Sequence, residues 1–262
     1  MLPSGLRILS LNVAHGRGPI LHQGLKKQKT ILKWMGKIAE LLKDLQPDIV
    51  ALQEIDEDSQ WNGHLDLLEF LREKSGFKYA VYGMHNRHNG KFKLNYGNGF
   101  LTQHPILREE TVAFDTKRIG SKGFLYCRCV TPLGALDFIN LHLDFKSRQN
   151  RLIQCHEVKK FVLNKEIEYG VETQLNPIVM GDFNAQLKKR DDAARFLLEE
   201  MSAHSHYRSY PVKALTFPTY LPRKSIDYIF IPDQFLVMHS EAIRRKVSDH
   251  RAVMVELLSR NP

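Results

Sequence analysis

Short apolar runs that break into a polar residue at or near their ends recur along this chain. Arg7-Ile8-Leu9-Ser10-Leu11 ends at Asn12, and Ile49-Val50-Ala51-Leu52 leads into Gln53-Glu54. Asn140-Leu141-His142-Leu143-Asp144 interleaves the two classes, and Ile178-Val179-Met180 opens into Gly181-Asp182-Phe183-Asn184-Ala185. Ser225-Ile226-Asp227-Tyr228 and Ser248-Asp249-His250 repeat the arrangement toward the C-terminus. Six strand-like stretches thus deliver a carboxylate, an amide or an imidazole at or near their ends. A rigid scaffold gathers distant residues into one site in this way.

Between these runs the period changes. From about Gln28 to Leu45, apolar Ile31, Trp34, Met35, Ile38, Leu41, Leu42 and Leu45 fall at three- and four-residue steps, which predicts a helix. Pro47-Asp48 stops it, and the strand at Ile49 completes a β-α-β opening of α/β type. A second helix is predicted from roughly His64 to Lys74. Strands follow at Phe77–Met84, Gly99–Thr102, Phe124–Thr131 and Ala135–Phe145, the last two joined by a Pro132-Leu133-Gly134 turn. Asn140, His142 and Asp144 are expected on one face of their strand, with Ile139, Leu141, Leu143 and Phe145 on the other. Ser147 is placed to cap a helix reaching about Asn164. A strand ending at Asp182, a helix near Asp191–Met201 and strands at Ile226–Ile231, Phe235–His239 and Ala252–Leu257 complete the chain. Mixed hairpins and helices point to a two-sheet α/β sandwich. With no internal repeat or linker, residues 1–262 read as one domain.

Composition narrows the class. A length of 262 residues with 43% hydrophobic and 26% charged residues suits a globular chain with a large core. No apolar stretch approaches the roughly 20 residues that span a bilayer. Met1-Leu2-Pro3-Ser4-Gly5 lacks the features of a signal peptide, so a cytoplasmic location is the expectation; a monomer is expected as well. The net charge of +9 favours anionic partners: nucleic acid, an acidic membrane surface or a phosphorylated small molecule, with plain solubility as the alternative. Cys127, Cys129 and Cys155 have no CxxC spacing and read as buried free thiols.

The collected polar residues are of the kind that hold a divalent cation beside a phosphate. Mg²⁺ takes carboxylate oxygens and water; Glu54, Asp182 and Asp249 supply the former, and Asn12 offers an amide oxygen. An acidic base paired with an amide donor suits attack by water on phosphorus. In their order along nearly the whole chain, Asn12, Glu54, His142, Gly181-Asp182-Phe183-Asn184, Asp227 and Ser248-Asp249-His250 resemble the endonuclease/exonuclease/phosphatase superfamily. That resemblance implies a four-layer α/β sandwich with the site at one edge of two packed mixed sheets. It implies Glu54 as the main metal ligand, with Asn12 and Asp249 at or near Mg²⁺ (or Mn²⁺). Asp182 would activate water, Asn184 and His142 would hold the phosphate, and His250, oriented by Asp227, would contact the scissile group.

Other polar groups carry less. Asp144 has no role in the resemblance and is assigned to solvent or a supporting hydrogen bond. His85-Asn86-Arg87-His88 and His204-Ser205-His206 read as solvated loops, and Tyr96-Gly97-Asn98-Gly99 as a glycine turn or a support for His142. Arg148 and Arg151, beside Lys146 at a helix start, are candidates for phosphate contact, with surface solvation the alternative. Lys91 and Lys93 are further candidates for contact with nucleic acid. Thr216-Phe217-Pro218-Thr219 replaces the tryptophan-rich stretch of abasic-site enzymes and looks more like bacterial metal-dependent hydrolases of the superfamily. Three readings follow: a Mg²⁺-dependent phosphodiesterase or nuclease, a phosphatase or phospholipase-like enzyme, and a non-catalytic phosphate-binding protein. The intact set of groups argues against the third.

Overall fold

The computed structural model describes residues 5–20, 26–90, 93–114, 120–170, 175–188, 192–203 and 205–260. The chain runs β1 (Leu6–Asn12), α1 (Gln28–Leu45), β2 (Ile49–Ser59), α2 (Leu67–Ser75), β3 (Tyr79–Asn89), β4 (Lys93–Thr102), β5 (Ile106–Ala113), β6 (Gly123–Thr131) and β7 (Gly134–His142). It continues through α3 (Arg148–Tyr169), β8 (Ile178–Asp182), α4 (Ala193–Ser202), β9 (Tyr207–Tyr210), β10 (Asp227–Pro232), β11 (Phe235–Ala242) and β12 (Val253–Ser259). These strands form two six-stranded mixed sheets, ordered β11-β12-β1-β2-β4-β3 and β5-β6-β7-β8-β10-β9. Each sheet has one parallel pair at its centre, β1 with β2 and β7 with β8.

Alternation along the strands builds the layers. Leu9 and Leu11 face α1 and α2 with Val50 and Leu52, whereas Leu6, Ile8, Ile49 and Ala51 face the second sheet. There they meet Cys127, Phe138, Met180 and Ile229. The opposite side of the second sheet carries Tyr126, Ile139, Leu141, Val179 and Phe230 under α3 and α4. The result is helix, sheet, sheet, helix: four layers around three apolar seams.

At one end of the central seam the inward positions turn from apolar to polar. Leu6-Ile8 gives way to Ser10 and Asn12, Ile49-Ala51 to Gln53, Phe138 to Asn140 and His142, and Met180 to Asp182. Gln53 Nε2 donates to Asn140 Oδ1 at 2.7 Å and to Ser10 Oγ at 3.2 Å. Asn140 Nδ2 donates across the seam to Leu52 O and Gly99 O, each at 2.9 Å. Buried amides are tolerated between two sheets only when bonded in this way, and here they join the sheets under the site.

Several sequence expectations are corrected. His85 to His88 lie in β3, with His85 and Asn86 buried, and Tyr96 to Gly99 lie within β4. Their polar and glycine-rich composition signals loops, but the long β3–β4 hairpin supplies their backbone partners. β7 ends at His142, so Phe145 lies beyond the strand and is 61% exposed. Edge strands β5 and β9 escaped sequence reading: β5 is largely exposed and polar, and β9 spans four residues. Lys91 and His204 lie outside the described residues. No described helix is long and apolar enough to cross a membrane.

Candidate active site

The polar strand ends converge on a cavity of about 570 Å³ lined by residues from both sheets, including Asn12, Glu54, His142, Asp182, Asn184, Asp249 and His250. Glu54 is aimed by a bulge: β2 slips register against β4 between Gln53 and Ile55, and Glu54 takes a left-handed φ of 55°. A non-glycine residue held there stores strain, which accompanies functional placement. Burial disfavours the charge on Glu54, but the positive charge around it, the Lys122 ammonium first, outweighs it and holds the carboxyl far below its ordinary range.

Asp182 ends β8 fully buried, opposite Asp227 of β10. Its Oδ1 accepts from the Asn184 backbone N at 2.9 Å and its Oδ2 from Asn12 Nδ2 at 3.0 Å. Burial, assisted by Asp227 and opposed by His250 and these donors, pushes its pKa up to about 7. The glycine of Gly-Asp-Phe-Asn has a steric reason: a Cβ on Gly181 would sit 1.9 Å from Leu141 O on the adjoining strand. Asn184, at φ 48°, donates Nδ2 to Leu143 O at 3.0 Å, leaving its second amide hydrogen for another acceptor.

His250 Nδ1 lies 3.0 Å from both carboxylate oxygens of Asp227, and Nε2 lies 3.8 Å from Asp182 Oδ2. Burial opposes charge on this ring, but Asp227 and Asp182 more than offset it and push the pKa up to about 10. The Thr-Phe-Pro segment explains itself here. Phe217 packs against the His250 ring at 4.6 Å, Thr219 N donates to Asp249 O at 2.7 Å, and Arg251 N to Thr216 O at 2.9 Å. That segment clamps the Ser-Asp-His turn.

His142 Nε2 lies 3.5 Å from Asp182 Oδ2 and 3.9 Å from Glu54 Oε1, while Nδ1 is 3.3 Å from Lys122 Nζ. Burial, then the Lys122 ammonium, drives the ring's pKa well below its ordinary value. An ammonium only donates, so Nδ1 accepts and Nε2 carries the proton toward the cavity. Asn98 supports this strand end by donating to Asn140 O at 2.8 Å and Gly123 O at 3.3 Å.

Not every sequence candidate joins the centre in its expected role. The oxygen of Asn12 accepts from Ala14 N at 2.9 Å while its amide holds Asp182, so the side chain braces that carboxylate and keeps one oxygen lone pair for a cation. Arg151 lines the cavity, but Nη1 donates to Asp144 O at 3.1 Å and Nη2 to Asp192 at 3.3 Å. Arg148 is exposed and does not line the cavity. Asp144 makes supporting hydrogen bonds, accepting from Lys146 N and Ser147 N at the start of α3. Lys93 pairs with Asp58 in a separate depression. Sequence reading missed Lys122, and it missed His15, Arg17, Trp61 and Tyr96, which form one wall. His15 and Arg17 stood in a glycine loop with no strand end to single them out, and the others sit on segments that only folding brings near.

The donors fit a hard divalent cation. Glu54 and Asp249 both line the cavity, and burial together with the Glu54 charge raises the Asp249 pKa against His250, a repulsion that a cation relieves. Among the described residues, ligand atoms of Asp182, Asp227 and His250 also lie within 4.8 Å of one another. In that group Asp227 is already committed to His250.

The sequence profile of the endonuclease/exonuclease/phosphatase family matches residues 9–250. The chain belongs to that family. Its members hydrolyse phosphoester bonds, and solved structures share the fold. An endonuclease/exonuclease/phosphatase from Beutenbergia cavernae superposes with a TM-score of 0.73 at 18% identity, covering 97% of this chain and 72% of that one. A mannosyl-6-phosphatase of Bacteroides thetaiotaomicron gives 0.71 at 19% identity, covering 97% and 99%. A truncated TDP2 of Caenorhabditis elegans gives 0.62 at 17% identity, covering 97% and 98%. No curated protein matches this chain in sequence.

Proposed function

We propose that this family member is a divalent-metal-dependent phosphoesterase that cleaves a phosphodiester by in-line attack of water. The observation that carries the reading is Asp182, a buried carboxylate with a pKa near 7, bracketed by neutral His142 and cationic His250. A base poised near the working pH accepts a proton from water effectively. Asn12 and the Asn184 backbone fix the carboxylate, so little reorganisation accompanies the transfer. His142 donates Nε2–H to a phosphoryl oxygen without adding charge, while His250, held by Asp227, presents a cation to another. Glu54 and Asp249 would hold Mg²⁺ or Mn²⁺, which when bound would supply Lewis-acid stabilisation of the negative charge that builds up on the phosphate.

The net charge of +9 and the cations on the cavity walls (Arg17, Lys122, Lys146 and Lys224) favour an extended anionic substrate, nucleic acid included. A phosphomonoester is the second reading. It is favoured by a cavity of small-ligand size, and a protein of the same fold is a mannosyl-6-phosphatase. A panel of nucleic acids, diester and monoester reporters and phospholipids, each with Mg²⁺, Mn²⁺ or EDTA, tests both. Diester cleavage that stops in EDTA is expected. Turnover by metal-free protein overturns the metal role, and selective monoester cleavage overturns the diester reading.

A further inference from the structure

One side chain at the metal carboxylate is set up like a ligand. His15 approaches Glu54 with Nε2 3.4 Å from Oε2, longer than the roughly 2.7–3.2 Å of an N–H···O hydrogen bond. Its other nitrogen is committed: Nδ1 lies 2.8 Å from Asp56 Oδ2. Asp56 is fully buried and held on its second oxygen by Trp61 Nε1 at 2.7 Å. With Oδ2 as acceptor, Nδ1 carries the proton and Nε2 presents a lone pair toward Glu54. Metal-binding histidines are oriented by a carboxylate in this manner. The ring is 6% exposed and gripped edge-on by Trp61 at 4.7 Å and Tyr96 at 4.9 Å. Its backbone is left-handed (φ 55°), as is that of Glu54, so strain is stored at both partners.

We propose that His15 is a nitrogen ligand of the divalent cation held by Glu54, and that the centre therefore prefers a transition ion such as Mn²⁺ to Mg²⁺. Two donor atoms 3.4 Å apart fit adjacent positions on one ion. Mg²⁺ takes oxygen donors almost exclusively, whereas an imidazole adds affinity for first-row transition ions. The inference rests on Glu54 being a metal ligand, as in the function proposed above, and adds the identity of its neighbour.

Electron spin-echo spectroscopy of the Mn²⁺-loaded protein tests this without any turnover assay. An imidazole ¹⁴N modulation is expected in the wild type and in His142→Asn, and it should vanish in His15→Asn. Asparagine tolerates the left-handed backbone, so that variant keeps the loop. Asp56→Asn is a second variant that retains the imidazole. Trp61 would hold the amide oxygen, so the amide NH₂ faces Nδ1 and moves the ring proton to Nε2; the modulation should be lost here too. Calorimetric titration should show Mn²⁺ binding weakened about 10–100-fold in His15→Asn and Mg²⁺ far less. Modulation that is absent from the wild type, or survives in His15→Asn, overturns the role of His15 while leaving Glu54 as a ligand. Failure of the wild type to bind Mn²⁺ at all overturns both.

Discussion

Replacing Asp227 by Asn should slow the enzyme in a way that depends on pH, and the structure sets the size of that dependence. With the carboxylate present, the His250 pKa stands near 10, so the ring is cationic throughout the neutral range. Without it, burial opposes the remaining pull of Asp182 and the ring returns toward its ordinary pKa. For a reference near 6.5, about three quarters of molecules carry the charge at pH 6, about a quarter at pH 7 and about 3% at pH 8. Turnover that needs the cation should therefore fall about 4-fold at pH 7 and about 30-fold at pH 8, on top of any pH-independent loss from a misoriented ring. The ratio of wild-type to Asp227→Asn kcat should thus grow roughly 25-fold between pH 6 and pH 8. The linkage has a matching sign. A folded pKa above the unfolded value means that the dyad stabilises the fold fully below about pH 6.5, and that this is lost as pH rises through about 10. The assay is kcat against pH on an active reporter ester, with His250→Gln and the double variant alongside. A ratio constant with pH, or multiplicative losses in the double variant, would refute a cationic, Asp227-held His250.

Glu54→Gln should keep the fold by circular dichroism yet bind Mn²⁺ at least tenfold more weakly in calorimetry, because the strained bulge then presents a neutral amide. Asp182→Asn should lose about 10²–10⁴-fold in kcat, and the acid limb of the wild-type profile, expected near pH 7 from the raised carboxyl pKa, should disappear with it. A cation beside Asp182 moves that limb to lower pH, so it should shift when Mg²⁺ is varied. Asn140→Ala removes hydrogen bonds to Gln53, Leu52 and Gly99 in a buried layer. Gln53 keeps its bond to Ser10, so the two carbonyls are left unpaired; at about 1–3 kcal/mol each, urea unfolding should show a loss of roughly 2–6 kcal/mol.

The β-α-β opening, α1 from Gln28 to Leu45 and the Ser147 cap of α3 were legible in the sequence, because each is fixed by local period and capping chemistry. So was the family, since Asn12, Glu54, Asp182, Asn184, Asp227 and His250 stand in order at strand ends. Alternation placed Asn140 and His142 on one face, but it could not say that this face is the seam between two sheets. Only packing decided that Asn140 bonds to Leu52 and Gly99 of the other sheet, and that Asn12 braces Asp182 170 positions away. Lys122, His15 and Asp56 were invisible as site residues for the same reason. A side chain's partners across a sandwich depend on sheet order and register, which are long-range pairings with no periodic trace in the chain. His85 shows the converse: a polar run that reads as loop becomes buried strand once β4 pairs with it, and burial lowers its pKa to about 3. Local chemistry chose the elements and the catalytic alphabet; the tertiary contacts assigned each letter its protonation state and its partner.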